Sequence, residues 1–219
     1  RCRYQWTSTR GAVRICHLKR AASDGKGMAS RPLPAWFGDT GRRVAIVGGG
    51  PAGLAAAREL MRYGHGVTLF ERGNTLGGQM RAIPSFRLPA DVVDGDIAAI
   101  TDSGVEIRLG ECVTAERVHA LQQEFDAVLL ATGANRPVAL RLDGLPEDAG
   151  HEGLDFMLRY NAGTSPEVRA DVVIIGGGFT AVDCARAARR LVGAEGSVTI
   201  MYRRGEAQMA ASPEELHEL

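Results

Sequence analysis

Arg43-Val44-Ala45-Ile46-Val47-Gly48-Gly49-Gly50-Pro51-Ala52-Gly53-Leu54-Ala55-Ala56-Ala57, followed through to Val67-Thr68-Leu69-Phe70-Glu71, decides the fold. Val44 to Val47 is a short apolar run of the kind a buried strand needs. It stops at three glycines. Pro51 then opens a helical stretch to Tyr63, at a first-turn position where a missing N–H goes unused, and Gly64 ends it. Val67 to Glu71 reads as the next strand. Strand, tight turn, helix and strand within about 30 residues make a βαβ unit of a parallel sheet.

The turn has the spacing Gly48-x-Gly50-x-x-Gly53. Gly48 allows the bend out of the strand, Gly50 lets a pyrophosphate approach bare backbone, and Gly53 lets the helix sit close to the sheet. The helix start offers free N–H groups and about half a positive charge to the phosphates. Glu71, 18 residues past Gly53, ends the next strand, where a carboxylate accepts hydrogen bonds from both ribose hydroxyls of an adenosine.

A second unit repeats the pattern. Asp171-Val172-Val173-Ile174-Ile175 runs into Gly176-Gly177-Gly178, Phe179 to Leu191 is a helix, and Ser197 to Tyr202 a strand. Ala181 takes the third glycine's place, a change this turn tolerates. Tyr202 stands where Glu71 does, and Arg203-Arg204 follow. A carboxylate there repels a 2′-phosphate, whereas guanidinium groups bind one bidentately, which favours NADPH over NADH. The plainer alternative is a solvated turn with two arginines. Two dinucleotide turns in one chain imply two dinucleotides, for which FAD and a nicotinamide are the natural pair.

Between the units the periodicity predicts a helix over 90–102, a strand Val105–Leu109, a helix Ala115–Gln122, a buried strand Phe125–Ala131 ending at Thr132-Gly133, and a helix Gly153–Tyr160. Upstream, Ala12–Ala22 reads as a short helix that half-buries Val13, Ile15, Cys16 and Leu18, and Lys26–Gly41 as an extended linker. The expected class is α/β, with two Rossmann-like dinucleotide-binding units, FAD first and NAD(P) second. The expected divisions are 1–42, an FAD domain over 43–140, a connection over 141–170, and the start of an NAD(P)H domain over 171–219. Both units read as incomplete, and the chain as a piece cut at both ends; a transit peptide and a true start at Met28 are the other readings of the head.

Composition narrows the classes. At 45% hydrophobic and 24% charged, with 28 glycines in 219 residues, the chain is globular and neither a fibre nor disordered. No apolar run approaches the ~18 residues of a membrane span. Residues 1–43 carry ten Lys/Arg against two Asp/Glu, whereas the remainder has a net charge of −8, so the folded part is no candidate for nucleic-acid binding. Cys2, Cys16, Cys112 and Cys184 form no C-x-x-C, which excludes a dithiol redox centre like that of thioredoxin reductases and suits a reducing cytoplasm. His17 and His65 lack metal-ligand spacing, Cys184 reads as a buried small hydrophobe, Asp183 as a local cap or pair, and Asp91, Asp94 and Asp96 as a solvated helix face. No Ser–His–Asp set assembles, so no side-chain nucleophile is expected.

Val44 to Ala57 resembles the FAD fingerprint of two-dinucleotide flavoprotein reductases. Leu76-Gly77-Gly78-Gln79-Met80 resembles their Gly-Gly approach to the flavin, and Leu129-Leu130-Ala131-Thr132-Gly133 their return beneath FAD. Ile83-Pro84-Ser85-Phe86-Arg87-Leu88-Pro89, Ile174 to Arg186, and Tyr202-Arg203-Arg204 are similar to the glutamate synthase small subunit family of NADPH-dependent iron–sulfur flavoproteins, over about 43–215. The resemblance implies an enzyme in which NADPH reduces FAD and electrons leave through [4Fe–4S] clusters to a partner subunit or fused domain. It assigns Gly48, Gly50, Pro51, Ala52, Gly53, Glu71, Arg72, Gly78, Gln79, Thr132 and Gly133 to FAD, with Val113 touching adenine through its backbone. Gly176, Gly178, Phe179, Thr180, Arg203 and Arg204 would hold NADPH. Residues 1–42 then look like the end of a cysteine-rich helical domain, with Cys2 either a surviving cluster ligand or a free thiol; four thiolates are usual. The sequence departs from the family in a short Met80–Ile83 stretch and in alanine where proline is common at Met209-Ala210-Ala211. A non-catalytic nucleotide-binding fragment is the alternative function.

Overall fold

The computed structural model describes residues 13–25, 34–135, 140, 143–144, 150–164, 167–211 and 215–216. Two compact units emerge, Arg1–Arg31 and Pro32–Leu219. In the first, helix α1 (Ile15–Asp24) buries none of its residues. Val13, Ile15, Cys16 and Leu18, expected half-buried, are exposed, since nothing among the described residues of this unit covers that face. Cys2 and the start of the expected helix lie outside the described residues.

The second unit carries the sheets. Strands β1 (Arg43–Val47), β2 (Gly66–Glu71), β3 (Glu106–Leu109) and β4 (Ala127–Leu130) form a four-stranded, all-parallel sheet in the order β3-β2-β1-β4. Val47 pairs with Phe70 on one side and Leu130 on the other, so the ends of β1, β2 and β4 lie level. Helices α2 (Pro51–Arg62) and α3 (Ala90–Thr101) bury Leu54, Ala57, Val93 and Ile97 with Val44, Ile46, Val67 and Leu69. On the opposite face Leu121, from helix α4 (Ala115–Glu124), joins Ala45, Val47 and Phe70. Each large aliphatic side chain so enclosed stabilises the fold by about 1.5–3 kcal/mol. β4, expected to be buried, is instead an outer strand of this sheet, and Leu129 and Leu130 are 40% and 59% exposed.

Part of the expected linker is anchored. Trp36 donates its backbone N–H to the Arg62 carbonyl, its ring lies under the Arg62 guanidinium, and Phe37 stacks on Tyr63 at 5.3 Å. Farther on, helix α5 (Gly153–Asn161), strand β5 (Asp171–Ile175), helix α6 (Phe179–Leu191) and strand β6 (Ser197–Met201) follow, with β5 and β6 parallel. Phe156, Met157, Cys184, Ala187 and Ala188 form their core, with Val172, Ile174 and Val198 against it. The other face of this pair shows Val173, Ile175 and Met201, 56%, 47% and 56% exposed. Among the described residues, no helix is long and apolar enough to cross a membrane.

Candidate dinucleotide-binding sites

At the first turn Gly48 has φ +113°, and its N–H is donated to the Phe70 carbonyl at 2.8 Å. A side chain there would strike the Ala131 carbonyl, so the turn passes directly beneath Ala131-Thr132. A Cβ on Gly53 would lie far inside van der Waals contact distance of the Gly48 carbonyl oxygen, because α2 sits tight against its own turn. Gly50 caps α2 in an extended conformation (φ −81°, ψ −174°) and has no side chain to satisfy the first-turn N–H groups. Gly77 donates to the Gly49 carbonyl at 2.8 Å, which brings Gly78 against Gly50.

These groups border one cleft of about 640 Å³. Gly48, Gly50, Pro51, Ala52, Glu71, Arg72, Gly78, Gln79, Val113, Thr132 and Gly133 line it, while Gly53 is buried in α2. Glu71 is held at its rim: Oε2 accepts the Gly49 N–H and Oε1 the Gly73 N–H, each at 2.7 Å. Each carboxylate oxygen keeps acceptor capacity for a hydroxyl. The Gln79 amide donates to Asn135 Oδ1 at 3.0 Å, tying the Gly-Gly segment to the stretch after Gly133. Glu111 and Cys112 also line the cleft, as do Glu152, Leu154, Asp155 and Leu158 around α5. Sequence reasoning missed this α5 wall by treating 141–170 as a connection; the apolar spacing of Leu154 and Leu158 was the available signal.

The second turn is built alike. Gly176 has φ +151° and donates to the Met201 carbonyl at 3.0 Å, as Gly48 does to Phe70. Gly178 caps α6 in an extended conformation with open space at its Cβ position. Tyr202 lies against Gly177 where Glu71 lies against Gly49, and its ring would be 2.8 Å from a Cβ at that glycine. The Tyr202 hydroxyl donates to the Gln208 carbonyl at 3.2 Å and accepts from Arg204 Nη2 at 2.6 Å. A smaller opening of about 400 Å³ is lined by Ile200, Tyr202, Arg204, Glu206, Met209 and Leu216. Arg203 is exposed outside it, and Phe179 and Thr180 are exposed on the first turn of α6. Ala210 and Ala211 both donate N–H to the Gly177 carbonyl, at 2.8 and 3.2 Å, which proline cannot do. Both turns thus present bare backbone and an uncapped helix start, the donor set a pyrophosphate needs.

Other candidates resolve differently. Burial pushes the Cys184 thiol up to about 12, and it donates to the Gly153 carbonyl. Asp183 makes no local cap; it pairs with Arg87 at 2.6 Å, 96 residues away. Asp94 pairs with Arg81 at 2.6 Å, so that part of the acidic face is an ion pair. His65 bonds Thr40, and no cluster of His, Cys, Asp and Glu that would hold a metal occurs among the described residues.

Known proteins extend the picture. The chain is 42% identical over 177 residues to the putative oxidoreductase YgfK of Escherichia coli K12, covering 80% of this chain and 17% of that one. It is 39% identical over 217 residues to the NADPH-Fe(3+) oxidoreductase subunit beta of Geobacter sulfurreducens, covering 91% and 31%. It is 37% identical over 166 residues to the glutamate synthase [NADPH] small chain of Bacillus subtilis, covering 69% and 33%. The chain therefore spans about a sixth to a third of the length of these relatives. FprA from Mycobacterium tuberculosis shares the fold, with a TM-score of 0.66 at 24% identity over 86% of this chain and 47% of that one. The family model described as pyridine nucleotide-disulphide oxidoreductase matches residues 42–219. With two parallel βαβ units, each turning on bare glycine backbone at a helix mouth, the chain belongs to the pyridine nucleotide-disulphide oxidoreductase family.

Proposed function

We propose that this chain is the FAD- and NADPH-binding module of an oxidoreductase of the glutamate synthase small subunit type, passing electrons to iron–sulfur clusters and a partner subunit or fused domain. The single observation that carries the reading is the cleft at the first turn. Gly48, Gly50 and the start of α2 face it with bare backbone, and Glu71 stands at its rim with both oxygens oriented by N–H donors. In this reading the α2 start binds the FAD pyrophosphate, Glu71 the adenosine ribose, and Val113 the adenine. Gly78, Gln79, Thr132 and Gly133 border the flavin side. At the second turn Gly176, Gly178, Phe179 and Thr180 hold the NADPH pyrophosphate. Arg203 and Arg204 take the 2′-phosphate, and Tyr202 adds no negative charge against it. When bound, FAD supplies two-electron chemistry with a nicotinamide and one-electron release to clusters. The protein binds and orients the reactants and needs no nucleophile of its own.

The similarity to a Geobacter subunit and to a glutamate synthase small chain supports a multi-component setting. The free thiols Cys16, Cys112 and Cys184 accord with a reducing cytoplasm, where we place the protein. Anaerobic titration with NADPH tests the reading: the protein purifies yellow, and the flavin absorbance bleaches. Colour that does not bleach favours a nucleotide-binding fragment without turnover, and protein that refuses added FAD overturns both.

A further inference from the structure

The segment Ile83–Leu88 belongs to neither glycine turn, yet it grips helices α5 and α6 at three points. Ser85 N–H is donated to Asn161 Oδ1 at 3.3 Å, and the Asn161 amide donates to the Arg81 and Ile83 carbonyls at 2.7 Å each. The Phe86 ring lies under the guanidinium groups of Arg190 and Arg186, at 3.9 and 5.0 Å from its centroid. Arg87 is the third point: Nη2 donates to Asp183 Oδ1 at 2.6 Å, and Nη1 and Nη2 donate to the two Glu215 oxygens at 2.5 Å. The side chains of Arg87, Asp183 and Glu215 are 28%, 14% and 19% exposed, so solvent and salt screen this cluster poorly. Its electrostatics reflect that shielding. Arg87 holds the Glu215 carboxyl below the usual range, and burial pushes the Asp183 carboxyl up against the pull of Arg87.

Placement makes the cluster more than a fastener. Asp183 stands five residues into α6 from its cap Gly178, about 7.5 Å along the helix axis. At the other end, Arg87 is nine residues past Gly78, at the edge of the first cleft, and the short 3₁₀ helix Gly78–Ala82 spans the first part of that interval. A continuous path therefore runs from the first site, through Ile83–Leu88, to the mouth of the helix that bears the second.

We propose that Arg87 is a positioning residue for hydride transfer: by clamping Asp183 it fixes the α6 mouth relative to the first cleft, and with it the approach of the nicotinamide to the flavin. This rests on reading the two turns as FAD and NADPH sites. The transfer carries two electrons and one hydrogen from nicotinamide C4 to flavin N5, leaving NADP⁺ and FADH⁻. Arg87 touches neither reactant; a displacement of about 1 Å at such a distance slows a reaction by up to roughly a hundredfold.

The test uses Arg87→Met, Arg87→Lys and Asp183→Asn in the FAD-loaded protein. Affinities for FAD and NADP⁺, read by flavin fluorescence and equilibrium titration, are expected to stay unchanged. The limiting rate of anaerobic bleaching by NADPH is expected to fall about tenfold to a hundredfold in Arg87→Met, and Arg87→Lys to recover part of it. Amide hydrogen exchange in α6 is expected to rise in Arg87→Met and Asp183→Asn, a readout independent of turnover. Combining Arg87→Met with Asp183→Asn is expected to slow bleaching no further than Arg87→Met alone. Parent-like bleaching in Arg87→Met, a rate loss that tracks FAD loss, or unchanged exchange in α6 overturns the clamp. Should Arg87→Met fail to fold, the same readouts on Arg87→Lys and Asp183→Asn decide. A parent protein that NADPH does not bleach defeats the functional reading itself, whereas a bleached parent matched by its variants defeats only the clamp.

Discussion

At the first glycine turn the third small residue is Gly53 and the following strand ends in Glu71; at the second these places hold Ala181 and Tyr202. The backbone path is otherwise the same, down to the N–H of the first glycine bonding the end of the next strand. Where the methyl is absent, α2 closes on the Gly48 carbonyl and the central strands are covered on both faces. Where Ala181 stands, the turn carries a methyl close to Gly176, and the β5–β6 pair is covered on one face only among the described residues. In the proposed function one turn architecture would serve two ligands: the glycine spacing would make the phosphate cradle, and the residue at the end of the next strand, Glu71 or Tyr202, would distinguish the adenosines.

Four substitutions probe that comparison. Gly53→Ala has the largest expected effect, because its methyl meets fixed backbone: a loss of about 3 kcal/mol of stability with loss of FAD retention, read by urea denaturation and flavin content. Glu71→Ala comes next. It leaves the Gly49 and Gly73 N–H groups without their acceptor, at a cost of about 2 kcal/mol of stability read by urea denaturation, and it removes the proposed ribose acceptor, weakening FAD roughly thirtyfold in a flavin-binding titration. Replacing Arg203 and Arg204 together with alanine is expected to weaken NADPH about tenfold relative to NADH; equal losses for both would return these arginines to a solvated turn. Ala181→Gly should do least, changing the unfolding free energy from urea denaturation by under about 1 kcal/mol; a loss as large as that of Gly53→Ala would mean that the second turn depends on its methyl as strictly as the first depends on having none.

Local signals made much of this legible in the sequence. β5 runs Asp171–Ile175 and α6 Phe179–Leu191, as glycine punctuation and apolar spacing predict, because both are set within a few residues. Eleven of the twelve residues assigned to FAD lie around one cleft, since strand ends and turns of a parallel sheet converge on the same edge. What escaped depends on distance along the chain. The Asp183 partner Arg87 is 96 residues away, so a local pairing was the natural but mistaken reading. Leu154 and Asp155 meet the first turn only because α5 folds back beside it. Arg203 and Arg204 look equivalent in sequence, yet only Arg204 reaches Tyr202. Leu130 reads as buried from its apolar neighbours, but an outer strand shows it to solvent.

The thiol of Cys184 bears on durability. Reduced flavins leak electrons to oxygen, and the peroxide so formed attacks sulfur as thiolate. With burial pushing its ionisation up to about 12, Cys184 stays a protonated thiol at neutral pH. Sulfur can therefore fill the core beneath the second turn without becoming its weak point, and oxidative damage should fall first on the exposed thiols, Cys16 and, at the rim of the larger cleft, Cys112.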